Sequence, residues 1–181
     1  MQEQNEQAKR KVYESILGLP EEWAVEGVEK NDRAKEMTFK IVCTQKVHPC
    51  PRCGAATVLY GARERTIRHL DMCAYKTFLL VQVPRIKCPE HGVMAAPVSF
   101  TDPRGHFTYE FANRILELCK GAPVQKVAAD YGINWHVIAQ MKERAVRKAL
   151  VRRERQPPVK VKNLAVDETS FRTYHDYSKE E

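Results

Sequence analysis

The chain has 181 residues, a formal net charge of +7 and 43% hydrophobic residues, which allows one or two small domains with real cores. No run approaches the ~18–20 apolar residues of a membrane span. The first twenty residues are charged and lack a signal-peptide core, so an intracellular protein without a membrane partner is expected.

Charge is unevenly placed. Residues 1–36 hold six Lys/Arg against nine Asp/Glu, a net of −3, and are expected to form an N-terminal helical segment. Met37–Thr44 follows as a strand, just ahead of Cys50-Pro51-Arg52-Cys53-Gly54. A second pentapeptide of the same form, Cys88-Pro89-Glu90-His91-Gly92, follows, with 34 residues (54–87) between Cys53 and Cys88. Each is a tight turn that brings two soft ligands to one point, with a glycine free to take the positive φ that ends it. Together Cys50, Cys53, Cys88 and His91 supply the four ligands of a closed, structural zinc site. Two ordinary turns with buried cysteines would leave the repeated Pro and Gly unexplained.

The gap between the turns alternates in short β-rich runs, Thr57–Tyr60, Thr66–Leu70 and Lys76–Val83, with bends at Gly61 and at Asp71–Ala74. Residues 37–100 are therefore expected to be a zinc ribbon, a small antiparallel sheet with its end turns clamped by metal. So small a domain buries little apolar surface, and the ion would supply much of its folding energy. Cys43, Cys73 and Cys119 fall outside the turns and read as small packed hydrophobes; Cys73, lying between the turns, is the one most open to another role.

Residues 107–155 read as helical. Thr108 suits an N-cap for a helix through Lys120, with Phe111, Ile115, Leu118 and Cys119 along one face and Gly121 ending it. Pro123 suits the start of a short helix to Tyr131, Gly132 breaks the chain, and Asn134 can cap a third helix from Trp135. Val127, Ala128, Tyr131, Ile133, Ile138 and Met141 then fall inward, in the register of a helix-turn-helix. A helical hairpin with no DNA role has the same pattern. The third helix runs into a dense basic stretch, nine Lys/Arg against two Glu over residues 140–162, which is either a solvated face or the partner of a polyanion.

If that partner is double-stranded DNA, Asn134, Trp135, His136 and Gln140 would face base edges in the major groove. Lys142, Arg144, Arg147 and Lys148 would meet phosphates. Trp135 serves equally well as a packing residue against the first helix, and a His at position 136 is more often a plain surface residue.

Gln156-Pro157-Pro158 ends regular structure, so residues 156–162 are a linker. Residues 163–181 begin with an apolar strand, Leu164-Ala165-Val166, ending in Asp167-Glu168, and a turn leads toward a second strand. A carboxylate at the end of a buried strand is a first ligand of a two-metal phosphoryl-transfer site, or simply a charged strand end.

In this order the motifs resemble the insertion-sequence transposases of the ISL-three group, in which a zinc ribbon precedes a helix-turn-helix and a DDE catalytic domain of ribonuclease-H-like fold. The segment Ile16-Leu17-Gly18-Leu19-Pro20, the Cys50 turn, the helical stretch and Leu164–Tyr177 fall where that family has theirs, so the resemblance covers nearly the whole chain from about residue 15. One departure is His91, where many relatives would carry cysteine; zinc accepts either. The resemblance implies an α+β chain: a zinc ribbon, an all-α helix-turn-helix domain, and the truncated start of a catalytic domain. It implies that Asp167 is the first catalytic aspartate, that Mg²⁺ belongs only to a full-length catalytic form, and that the DNA bound is the terminal inverted repeats of a mobile element. A cytoplasmic, nucleoid-associated prokaryotic protein follows from the same likeness, and a homodimer stays open. The second Asp and final Glu of a DDE site would lie beyond Glu181, so these 181 residues alone are expected not to cut DNA. Two other classes remain: a zinc-ribbon transcription regulator, against which the Asp167 strand counts, and a ribbon that mediates protein interaction.

Overall fold

The structure, a computed structural model, describes residues 2–155, side chains of residues 2–4 excepted. Asp167, the linker 156–162 and the segment 163–181 lie outside the described residues.

Helix α1 (Gln2–Ile16) ends because Gly18 takes a left-handed φ of 58°. The Gly18 amide reaches Ser15 O at 3.2 Å and the Leu19 amide reaches Glu14 O at 3.1 Å, the paired bonds of a Schellman cap. The expected helical segment 1–36 therefore stops halfway. Trp23–Asn31 is strand β1, with Trp23 and Val25 buried, and it pairs antiparallel with β2 (Glu36–Cys43). A bulge between Val25 and Gly27 shifts the alternation after only three residues, which hides this strand from a period-two pattern.

The next two strands are longer than their sequence signals. β3 (Val58–Met72) runs through Gly61, where a bulge rather than a bend absorbs the glycine. β4 (Tyr75–Cys88) returns antiparallel after a turn in which Cys73 and Ala74 both have positive φ. β5 (Gly92–Ala95) pairs with the end of β4. The order β1-β2-β4-β3 makes β2 and β4 parallel neighbours, so the sheet is mixed, not purely antiparallel, and reaches well beyond the ribbon.

One face of this sheet carries Phe39, Ile41, Ile67, Leu79 and Val81, all fully buried beneath Leu17 of the α1 cap and the Val98–Phe100 segment. Edge-on ring contacts lock it, Tyr13 on Phe39 and Trp23 on Phe100, each at 5.4 Å.

Three further helices complete the described chain: α2 (Tyr109–Gly121), α3 (Val124–Tyr131) and α4 (Trp135–Glu154). Thr108 caps α2, its hydroxyl accepting the Phe111 amide at 3.2 Å. Gly121 is the last helical residue rather than the cap; extended Ala122 caps it, as suits a residue preceding proline. Gly132 caps α3 in the left-handed region (φ 62°, ψ 38°), and Ile133 N bonds Ala128 O at 3.0 Å. Phe111, Ile115, Val127, Ala128, Ile138 and Met141 form one buried cluster.

That cluster is not separate from the sheet, as independent ribbon and helical units would require. Leu70 of β3 packs against it, and the Arg68 guanidinium lies between the rings of Phe78 and Phe111, 5.1 and 5.2 Å from their centroids. His106–Thr108 runs beside the outer edge of β3, with Arg68 N on His106 O at 2.8 Å and Thr108 N on Arg68 O at 3.0 Å. Sheet and helices up to Lys142 form one compact unit; the second unit starts at Glu143 and is described as the continuation of α4 to Arg155. No helix among the described residues is long and apolar enough to cross a membrane.

Candidate functional site

The two C-P-x-[CH]-G turns come from different local structures. The first is a loop turn closed by Gly54 N on Cys50 O at 2.8 Å and Cys50 N on Ala55 O at 2.9 Å, with Gly54 at φ 73°. The second is the hairpin turn between β4 and β5, where Cys88 pairs with Gly92 at φ 70°. Long pairing of β3 with β4, from Val58↔Lys87 onward, holds the two turns together.

Their ligand atoms converge. Cys50 Sγ, Cys53 Sγ, Cys88 Sγ and a ring nitrogen of His91 all lie within 4.8 Å of one another. Cys53 Sγ to Cys88 Sγ is 3.7 Å, and His91 Nδ1 is 3.7 Å from both Cys50 Sγ and Cys88 Sγ. The edge of a tetrahedron with Zn–S of about 2.3 Å is about 3.8 Å. These separations therefore fit four ligands round one ion, and are far too long for a disulfide of about 2.05 Å. The chain holds a zinc ribbon whose Cys50, Cys53, Cys88 and His91 are positioned to bind a metal, consistent with structural Zn²⁺.

Local electrostatics favour thiolate at the first ligand. Backbone amides of Cys53 and Arg52 aimed at the Cys50 sulfur lower its pKa to about 6. At Cys53 the Ala55 amide pulls the same way, but desolvation and the neighbouring Cys50 and Cys88 sulfurs outweigh it and raise the thiol to about 11. Three thiols this close cannot all ionise without a cation among them. Met94 of β5, absent from any motif, places its Sδ 4.0 Å from Cys50 Sγ and shields that side. His48 is buried next to the first turn, and its carbonyl accepts the Thr57 hydroxyl at 2.5 Å.

The other cysteines stay apart from the centre. Cys43 packs at the edge of the sheet core and Cys119 against the helical cluster, while Cys73 is exposed in the β3–β4 turn rather than packed.

Residues 46–91 match the zinc-finger of transposase IS204/IS1001/IS1096/IS1165. The matched span includes all four ligands. No curated protein and no solved structure matches the chain significantly.

The candidate residues at and after the start of α4 are all exposed. Asn134 Oδ1 accepts the His136 amide at 2.9 Å, capping the helix. Trp135 is 47% exposed and stacks on the His136 ring at 3.6 Å, outside the helical cluster. Gln140, Lys142, Arg144, Arg147 and Lys148 are exposed, whereas Ile138 and Met141 turn inward. Arg147 bonds Glu143 at 2.7 Å, one turn back.

Proposed function

We propose that this chain is the N-terminal, DNA-recognising part of a transposase, binding the terminal inverted repeats of a mobile element. The single observation that carries the reading is the zinc centre itself, assembled by residues inside the span that matches a transposase zinc finger.

In this reading α3, the Gly132 turn and α4 act as a helix-turn-helix. The small Ala128 admits close approach of the second helix, and the outward face of α4 enters the major groove. Asn134 and Gln140 offer amides able to read adenine, and Trp135 and His136, stacked together, present one flat surface. Lys142, Arg144, Arg147 and Lys148 meet phosphates, which gives affinity without sequence information. A homodimer would double this contact on a repeat. By the resemblance, Asp167 is the first carboxylate of the catalytic site of the complete enzyme, where Mg²⁺ would act.

Fluorescence anisotropy with labelled duplexes tests the reading. The protein should bind duplexes carrying a terminal repeat more tightly than random ones, and affinity should fall steeply with salt. Absence of any salt-dependent binding would leave the ribbon as a protein-interaction module; binding to promoter sites alone would favour a transcription regulator.

A further inference from the structure

A second basic surface lies on the ribbon, beside the zinc turns and built from residues outside the two pentapeptides. Where β3 and β4 emerge from the core, the sheet and the 101–106 loop enclose a groove of about 570 Å³. Arg63, Arg85 and Arg104 line it, all exposed, with Val83 and Val93 as its apolar floor. Glu64 is the one carboxylate in the lining, and it is held by Gln82 at 2.8 Å. Arg63 and Arg104 make no ion pair among the described residues. Arg85 rests on the Tyr60 ring, 5.4 Å from its centroid, which leaves its guanidinium edge available.

The groove is built, not accidental. Arg65 points the loop into place, its guanidinium donating to Asp102 O at 2.8 Å, to Pro103 O at 3.1 Å and to Gly105 O. One arginine is thus committed to shaping the wall that presents Arg104. His106 lines this groove and also a smaller crevice of about 380 Å³ that reaches Lys76, Gly132 and Ile133. His106 thus joins the ribbon groove to a crevice of mixed charge, lined by Lys76 and Glu36, that ends at the turn just before Asn134.

Three exposed arginines round one groove, with Glu64 as the single carboxylate of its lining, make a local positive potential that a polyanion complements. We propose that this groove holds the phosphodiester backbone of the DNA whose bases face α4, with Arg63, Arg85 and Arg104 as its phosphate contacts. The inference rests on the DNA-binding reading above and adds to it a second, sequence-independent clamp supplied by the ribbon.

Anisotropy titrations of the full chain, zinc-loaded, against a fluorescein-labelled duplex of arbitrary sequence separate the two claims. Each phosphate contact contributes about 0.9 to the slope of log affinity against log salt. The triple variant R63Q/R85Q/R104Q should lower that slope by about 2.7 and weaken binding at least tenfold at low salt, roughly what three contacts supply. R63K/R85K/R104K should keep the wild-type slope, because lysine releases counterions too. The single variants, measured alongside in case the triple fails to fold, should each remove about one contact's worth. A wild-type slope in all of them, while Lys142→Gln lowers it, would overturn the groove and leave the reading of α4 standing. Failure of the wild type to bind any duplex would overturn both.

Discussion

The imidazole Nδ1 of His69 lies 3.0 Å from the hydroxyl of Thr108, the residue that caps α2. That hydroxyl also accepts the Phe111 amide, and its remaining hydrogen-bonding capacity is met by His69. One side chain thus serves two elements, the sheet through His69 and the helix through its cap. Thr108→Val should cost about 2 kcal/mol, the sum of a lost cap and an unpartnered buried imidazole. Urea denaturation of T108V, H69Q and the double variant checks it. Purely additive losses would mean the two groups do not act together.

The same pair makes stability depend on pH. Burial lowers the His69 pKa below its ordinary 6.5, Glu110 opposes this and Arg68 adds to it. The unfolded chain therefore binds the proton more readily than the folded one. Stability from neutral His69 is complete above about 6.5 and falls as pH drops from there toward the lower folded value. Denaturation midpoints should decline over that acidic range, and H69Q should decline less. An equal slope in both would assign the effect to other groups.

Zinc should matter to the turns more than to the whole sheet. The ligands sit at the far ends of β3 and β4, while Phe39, Ile41, Ile67, Leu79 and Val81 bury the other half without them. This differs from a minimal ribbon that collapses without metal. Native protein should hold one equivalent of zinc by elemental analysis, retained in His91→Cys and lost in His91→Ala. After chelation, hydrogen exchange should accelerate over residues 48–57 and 88–95 and stay slow over 77–83. Loss of protection everywhere would show that the metal supports the core as well.

The metal site was legible because each half is a local turn, spelled by Pro and Gly within five residues. Helix ends were legible for the same reason, through Thr108, Gly132 and Asn134. What escaped was nonlocal. The parallel contact of β2 with β4 leaves no mark in either strand, and the bulge at Val25/Gly27 erased the alternation of β1. Arg68 reads as one more charge in the run Arg63–Arg68. Its burial depends on Phe111, from a helix far along the chain.

Arg68 should consequently be costly to remove. Its guanidinium is buried between two rings, bonds Thr77 O at 3.2 Å and pairs with Asp71 at 2.5 Å. Arg68→Ala should destabilise by about 3–5 kcal/mol, leaving Asp71 without its partner and a void beside Phe111. Arg68→Met fills the space and should cost less. Thermal melts of the two variants decide it; equal losses would mean that charge, not packing, is what the site requires.

On α4 the proposed division of labour between bases and phosphates gives opposite signatures at neighbouring positions. Lys142 is exposed and makes no ion pair among the described residues, so Lys142→Gln should weaken binding to every duplex alike and lower the salt slope by about 0.9. Arg147 must first leave Glu143, but an exposed pair of this kind holds it by only about 0.5 kcal/mol. Arg147→Ala should therefore behave like the Lys142 variant. Gln140, two residues from Lys142 and exposed, is the base reader of the proposal. Gln140→Ala should spare random duplexes and reduce discrimination at one base pair by ~1–3 kcal/mol. Competition titrations with single-base variants of the repeat measure that difference, and equal losses on specific and random DNA would remove Gln140 from the readers.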